Sequence, residues 1–134
     1  MDPPADKALI LGNGGAAQAV RHVCSGLGME VLTVSRQPQG RDMVPYSRLS
    51  SIIKDYRLIV NATPLGTWPD TDQAPDLPYS LLDNRHFLFD LVYNPPVTKF
   101  MHLGSLRHAR TCNGLKMLEG QAEKNWEIWQ DPRY

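Results

Sequence analysis

The sequence predicts an α/β protein built on a parallel sheet. Short apolar runs alternate with stretches of helical periodicity, glycines mark the junctions, and 134 residues suit one hydrophobic core. The first run, Ala8 to Leu11, enters Gly12-Asn13-Gly14-Gly15. Ala16, Ala17, Val20, Val23 and Leu27 then fall on one helical face. Gly26 and Gly28 end that helix, and the β-branched run Val31 to Val34 forms a second strand that stops at Ser35-Arg36. Residues 37 to 47 are rich in Pro, Gly and Arg, after which Leu49, Ile52 and Ile53 support a short helix before the strand Leu58 to Asn61. The loop from Thr63 through Pro78 is too long for a minimal connection and is therefore a candidate functional loop. Phe87 to Val92 reads as a buried strand. Asn94-Pro95-Pro96 then breaks the chain and opens a helix to about His108, proline being tolerated in a first helical turn.

The final segment, Gly114 to Gln130, divides into helical faces. Leu115, Leu118, Ala122, Trp126 and Trp129 form the apolar one, and Lys116, Glu119, Glu123 and Glu127 the solvent one. Gly114, Met117 and Gln121 share the border between them, a stripe suited to lining a ligand.

Composition narrows the function classes. Lys and Arg number 14 against 14 Asp and Glu, so no global field draws nucleic acid or an anionic membrane, and neither is expected as a partner. No apolar run approaches the roughly 18 residues of a membrane span. Cys24 and Cys112 lie far apart without a C-x-x-C pattern, so reduced thiols and a cytoplasmic location are expected. His22, His86, His102 and His108 lack metal-binding spacing, and Ser47, Ser50 and Ser51 lack a nucleophile elbow; packed or surface roles are expected for both groups. Asp90 reads as a structural carboxylate at a strand end.

The chemistry-bearing pattern is Gly12-x-Gly14-x-x-Ala17, which follows a strand and opens a helix. Gly12 permits a tight turn and Gly14 lets a pyrophosphate approach the main chain. Ala17 allows helix and strand to pack, while the helix N-terminal N–H groups face the phosphates. A ligand-free glycine turn and an S-adenosylmethionine-binding turn are the rival readings. A site preferring NAD needs an acidic residue at the end of the second strand, where this chain has Ser35-Arg36. A guanidinium there suits a 2′-phosphate, so NADP is the expected cofactor. The alternative leaves Arg36 in solvent and gives the ribose to Glu30 or Asp42.

These motifs occur together with Asn61-Ala62-Thr63-Pro64-Leu65-Gly66, Asp90-Leu91-Val92-Tyr93-Asn94-Pro95 and Asn113-Gly114-Leu115-Lys116-Met117-Leu118-x-x-Gln121-Ala122. In that order they closely resemble the C-terminal cofactor-binding half of shikimate dehydrogenases, over nearly the whole chain. The resemblance implies a Rossmann-like doubly wound parallel sheet of about six strands in order 3-2-1-4-5-6, helices on both faces, with residues 1–134 as one NADP-binding domain. It also implies reversible hydride transfer between NADPH and 3-dehydroshikimate, giving shikimate in aromatic amino acid (chorismate) biosynthesis.

By resemblance, Gly12, Asn13, Gly14, Gly15 and Ala16 hold the pyrophosphate, and Ser35, Arg36 and Gln37 hold the 2′-phosphate. Asn61, Ala62 and Thr63 lie along the cofactor, Leu91, Gly114 and Met117 lie beside the nicotinamide, and Tyr93 and Gln121 touch the shikimate-type substrate. The family's catalytic Lys and Asp come from an N-terminal substrate domain, and no residue here matches them. These residues are accordingly expected to bind NADP(H) without turnover by themselves. Asn13, Ser35 and Trp68 depart from the family's usual Ala, Asn and Met, which bears on affinity and not on fold. A quinate dehydrogenase relative and a non-catalytic dinucleotide-binding or interaction module are the alternatives. The apolar ends of the first and last helices favour self-association, as in a homodimer.

Overall fold

The computed structural model describes residues 7–40 and 42–114. They form six strands, β1 (Lys7–Leu11), β2 (Glu30–Val34), β3 (Met43–Val44), β4 (Leu58–Asn61), β5 (Phe87–Asp90) and β6 (Arg110–Asn113). The helices are α1 (Gly15–Gly26), α2 (Leu49–Ile52) and α3 (Lys99–Ser105). All pairings are parallel and the order is β3-β2-β1-β4-β5-β6, as the family resemblance implied. Strand order reverses between β1 and β4, and an open α/β sheet opens a ligand crevice at the carboxyl end of such a switch.

Side chains alternate between the two faces of a strand, and both faces are buried here. Ala8, Ile10, Leu58, Val60, Phe87 and Phe89 pack with Ala17, Val20 and Cys24 of α1. Leu9, Leu11, Ile59 and Leu88 pack on the opposite face with Leu49 of α2 and Phe100 and Met101 of α3. This two-sided burial explains why β1, β4 and β5 read as continuous apolar runs.

Three boundaries differ from the sequence reading. The strand predicted through Val92 stops at Asp90, because the Asp90 carboxylate accepts the Val92 N–H at 2.9 Å and turns the chain out of the sheet. The prolines do not open the next helix. Thr98 does, its hydroxyl accepting the Met101 N–H, and a side-chain oxygen at the cap satisfies a donor that proline cannot. That helix ends at Ser105 and not at His108, where the chain turns through a left-handed residue (φ 68°). The short β3 and the polar β6 are strands that the pass along the sequence did not locate. The predicted helix from Gly114 to Gln130, with Met117, Gln121, Trp126 and Trp129, lies outside the described residues except for Gly114.

One register row crosses the carboxyl edge, running Val44, Val34, Leu11, Asn61, Asp90, Asn113. Asp90 is fully buried in it. One oxygen accepts Asn61 Nδ2 at 3.1 Å and the Val92 N–H, and the other accepts the Thr98 hydroxyl at 2.6 Å. Burial pushes the carboxyl up to about 6, while the Thr98, Val92 and Asn61 donors pull it back. At the end of the same row, Gly114 passes against the β5 exit. A Cβ there would overlap the Leu91 carbonyl oxygen, a backbone atom that cannot turn aside.

Two outcomes follow from this edge. A carboxyl raised above its unfolded value of 3.8 binds its proton more tightly when folded, so the stability it contributes is full below about pH 4 and is lost as pH rises through about 6. In urea unfolding, wild type relative to Asp90→Asn therefore loses stability between about pH 4 and 6 and is level above about pH 7. Gly114→Ala lowers unfolding free energy by about 1–3 kcal/mol, read as a lower urea midpoint, because the backbone must part to admit the methyl.

Candidate cofactor site

The β1–α1 turn is shaped for an anion by backbone geometry. Gly12 has φ +108°, a region that side-chain-bearing residues avoid, and a Cβ there would stand 3.2 Å from Thr63 Cγ2 and 3.3 Å from the Ala62 carbonyl oxygen. The turn thus sits directly on the β4 exit. Above Gly14 and Gly15 a Cβ would meet nothing within 4 Å, so open space lies over both. Gly14 caps α1 without a side chain, and no acidic residue occupies the first turn, which leaves the helix N–H groups directed at that space.

At the end where the sequence reading expects the adenosine, a cleft of about 480 Å³ runs from Gly12 and Asn13 along Ser35, Arg36 and Gln37 to Tyr46 and Thr63. The Ser35 hydroxyl accepts the Gln37 N–H at 3.2 Å and folds the segment after β2. Among the described residues the exposed Arg36 guanidinium is in no ion pair. The alternative ribose ligands are placed elsewhere. Glu30 begins β2, at the opposite edge of the sheet, and pairs with Lys7 at 3.8 Å. Asp42 is held at 2.6 Å by Arg21 of α1, whose other guanidinium nitrogen bonds Thr33.

A second cleft of about 460 Å³ lies on the β4–β5 side, lined by Ala16, Ala62, Thr63, Leu91 and Tyr93 among others. Tyr93 is exposed there. Thr63 borders both clefts, so one groove leads from Arg36 to Tyr93 across the switch point.

Asn61 does not face this groove. Its side chain is fully buried, and its oxygen accepts the N–H and hydroxyl of Thr63 while its amide donates to the Leu65 carbonyl and to Asp90. It fixes the turn that presents Ala62 and Thr63. Gly114 stands behind Leu91, and Met117 and Gln121 fall outside the described residues. Sequence reasoning missed Tyr46 and Asp76. Tyr46 follows a two-residue strand with no periodicity to announce it, and Asp76 lies in the long loop singled out only by its length.

Among the described residues no three His, Cys, Asp or Glu side chains group as a metal site, and no helix is long and apolar enough to cross a membrane. His86 is buried, its Nδ1 accepting the Asp83 N–H and its Nε2 donating to the Ile53 carbonyl. Cys24 and Cys112 are buried, and burial pushes the Cys24 thiol up to about 11, away from nucleophilic use.

No protein-family model matches the chain. A shikimate dehydrogenase (NADP(+)) of Clostridium beijerinckii is 36% identical over 133 residues, covering 92% of this chain and 48% of its own. Among solved structures, shikimate dehydrogenase 1 from Peptoclostridium difficile superposes with a TM-score of 0.75 at 36% identity, over 95% of this chain and 48% of that one. Shikimate 5-dehydrogenase from Thermus thermophilus, solved with NADP(H) and shikimate, gives 0.75 at 31% identity over 98% and 53%. The chain spans about half the length of the curated relatives it matches. In sequence and in fold, the chain is a homologue of the cofactor-binding half of the NADP-dependent shikimate dehydrogenases.

Proposed function

We propose that residues 1–134 are the NADP(H)-binding domain of a shikimate dehydrogenase and that the groove along the carboxyl edge is its cofactor site. The observation that carries this is the Arg36 guanidinium at the end of β2. It faces the adenosine-end cleft without an ion pair among the described residues, while both acidic candidates are engaged elsewhere. The glycine turn fits the group as well, because the open space over Gly14 and Gly15 adjoins a helix N-terminus free of acidic side chains.

When bound, NADPH supplies a hydride. In the whole enzyme that hydride would reduce the 3-carbonyl of 3-dehydroshikimate to shikimate. The chain's own residues bind and orient. The turn from Gly12 to Ala16 and the α1 N–H groups take the pyrophosphate, and Ser35, Arg36 and Gln37 take the 2′-phosphate. Ala62, Thr63 and Leu91 wall the nicotinamide end, with Gly114 holding Leu91 in place and Tyr93 open toward substrate. Fixing the cofactor at both ends presents one nicotinamide face to the substrate, which is the positional share of catalysis. Met117 and Gln121 retain the roles that the family resemblance gives them. A cytoplasmic location belongs to this reading, and exposed Tyr93, with exposed Trp68 bonded to Asn94 beside it, favours cover of that end by a substrate domain or a second copy.

Calorimetric titration tests this reading. The chain binds NADP⁺ more tightly than NAD⁺, and Arg36→Ala lowers NADP⁺ affinity by about 10- to 150-fold, the worth of a charge-assisted hydrogen bond of about 1.5–3 kcal/mol, with little change for NAD⁺. Equal binding of both nucleotides by wild type would refute the role of Arg36. With shikimate and NADP⁺ the 134 residues alone yield no NADPH absorbance, since none of them matches the family's catalytic Lys or Asp.

A further inference from the structure

A third cleft, of about 410 Å³, opens beside the adenosine-end cleft and shares Arg36, Tyr46 and Thr63 with it. Its other walls are Pro45, Leu65 and Ala74, so its lining is largely apolar, and its one carboxylate is Asp76. A flat heteroaromatic ring with one polar edge matches such a space: apolar walls take the ring faces and a lone polar group reads the edge.

Asp76 is held in place by its neighbours. It is exposed between the buried Pro75 and Leu77, and the Pro75 carbonyl accepts both the Leu77 N–H at 2.9 Å and the Tyr79 hydroxyl at 2.8 Å. The loop before it is folded back at Gly66, where a Cβ would stand 3.1 Å from the Gln73 carbonyl oxygen. Arg36, which follows β2, and Asp76, in the loop after β4, both line this cleft, so two opposite charges face one space. They are nevertheless not paired with each other, which leaves the carboxylate available to a ligand donor.

We propose that Asp76 reads the purine of the bound dinucleotide, its carboxylate accepting a hydrogen bond from the exocyclic amine at the purine 6-position. The inference rests on the NADP reading above and adds a base-specific contact from the long loop after β4. A carboxylate only accepts, so it favours a 6-amino purine and opposes a 6-oxo purine, whose carbonyl oxygen would meet it.

The test titrates the full chain with NADP⁺ and with its deamino analogue, nicotinamide hypoxanthine dinucleotide phosphate, for wild type and Asp76→Asn. Wild type should prefer NADP⁺ by about tenfold or more, the worth of one charge-assisted hydrogen bond. Asp76→Asn should bring the two affinities to within about twofold, because a carboxamide can turn its oxygen to an amine or its nitrogen to a carbonyl. Removing a negative charge near the 2′-phosphate strengthens both nucleotides alike, so the ratio and not the affinity is the readout. Equal affinities in wild type, or a preference unchanged in Asp76→Asn, would overturn the inference and leave the NADP reading standing. Failure of wild type to bind either nucleotide would overturn both.

Discussion

The half of the groove on the β4–β5 side depends on one buried carboxylate. Asp90 takes its three hydrogen bonds from three different segments: the end of β4 through Asn61, the exit of β5 through Val92, and the start of α3 through Thr98. Thr98 relays the connection into the helix by accepting the Met101 N–H. Burying a carboxylate is costly unless its lone pairs are occupied, and leaving any of these donors unmatched would cost about 1–3 kcal/mol. The network therefore holds together as a unit. It fixes where Ala62 and Thr63 leave β4 and where Leu91 leaves β5, and these residues form the wall of the cleft.

The half on the β1–β2 side is built on a different principle. The register row there reads Val44, Val34, Leu11, all apolar. Its shape comes from close backbone approach instead, with Gly12 seated on Thr63 and Ala62 and its N–H bonded to the Val34 carbonyl at 2.8 Å. Both halves meet at Thr63. Its hydroxyl donates to Asn61 and accepts the Leu65 N–H, while its methyl faces the glycine turn, so one side chain ties the polar network to the backbone-built end.

This contrast explains what the sequence made legible. Strands buried on both faces announce themselves as apolar runs, and β1, β2, β4 and the core of β5 were readable on that basis. The two-residue β3 is too short to show alternation, and β6 has the composition Arg-Thr-Cys-Asn, so their places in the sheet rest on pairing with neighbours and not on local pattern. The glycine turn and Arg36 were legible because their chemistry is tied to sequence position relative to a strand. Asn61 was legible as part of a motif but not in its role: whether an amide faces a ligand or a neighbouring carboxylate depends on the register between β4 and β5, which brings Asn61 beside Asp90. Tyr46 and Asp76 reach the groove through loop geometry, for which the sequence offers only length and composition.

Charge placement completes the contrast between the chain as a whole and its site. The sequence is neutral, so a phosphorylated ligand gains little from long-range attraction, and discrimination must come from donors within contact distance. The groove supplies these from two sources that respond differently to change. In the proposed reading the α1 N–H groups, fixed by the backbone, would take a pyrophosphate, whereas Arg36, a single exposed side chain, would add the 2′-phosphate. Arg21 takes Asp42, an acidic residue of the β2–β3 connection, at 2.6 Å, so that carboxylate already has a cationic partner of its own, and the exposed Arg36 guanidinium enters no ion pair among the described residues.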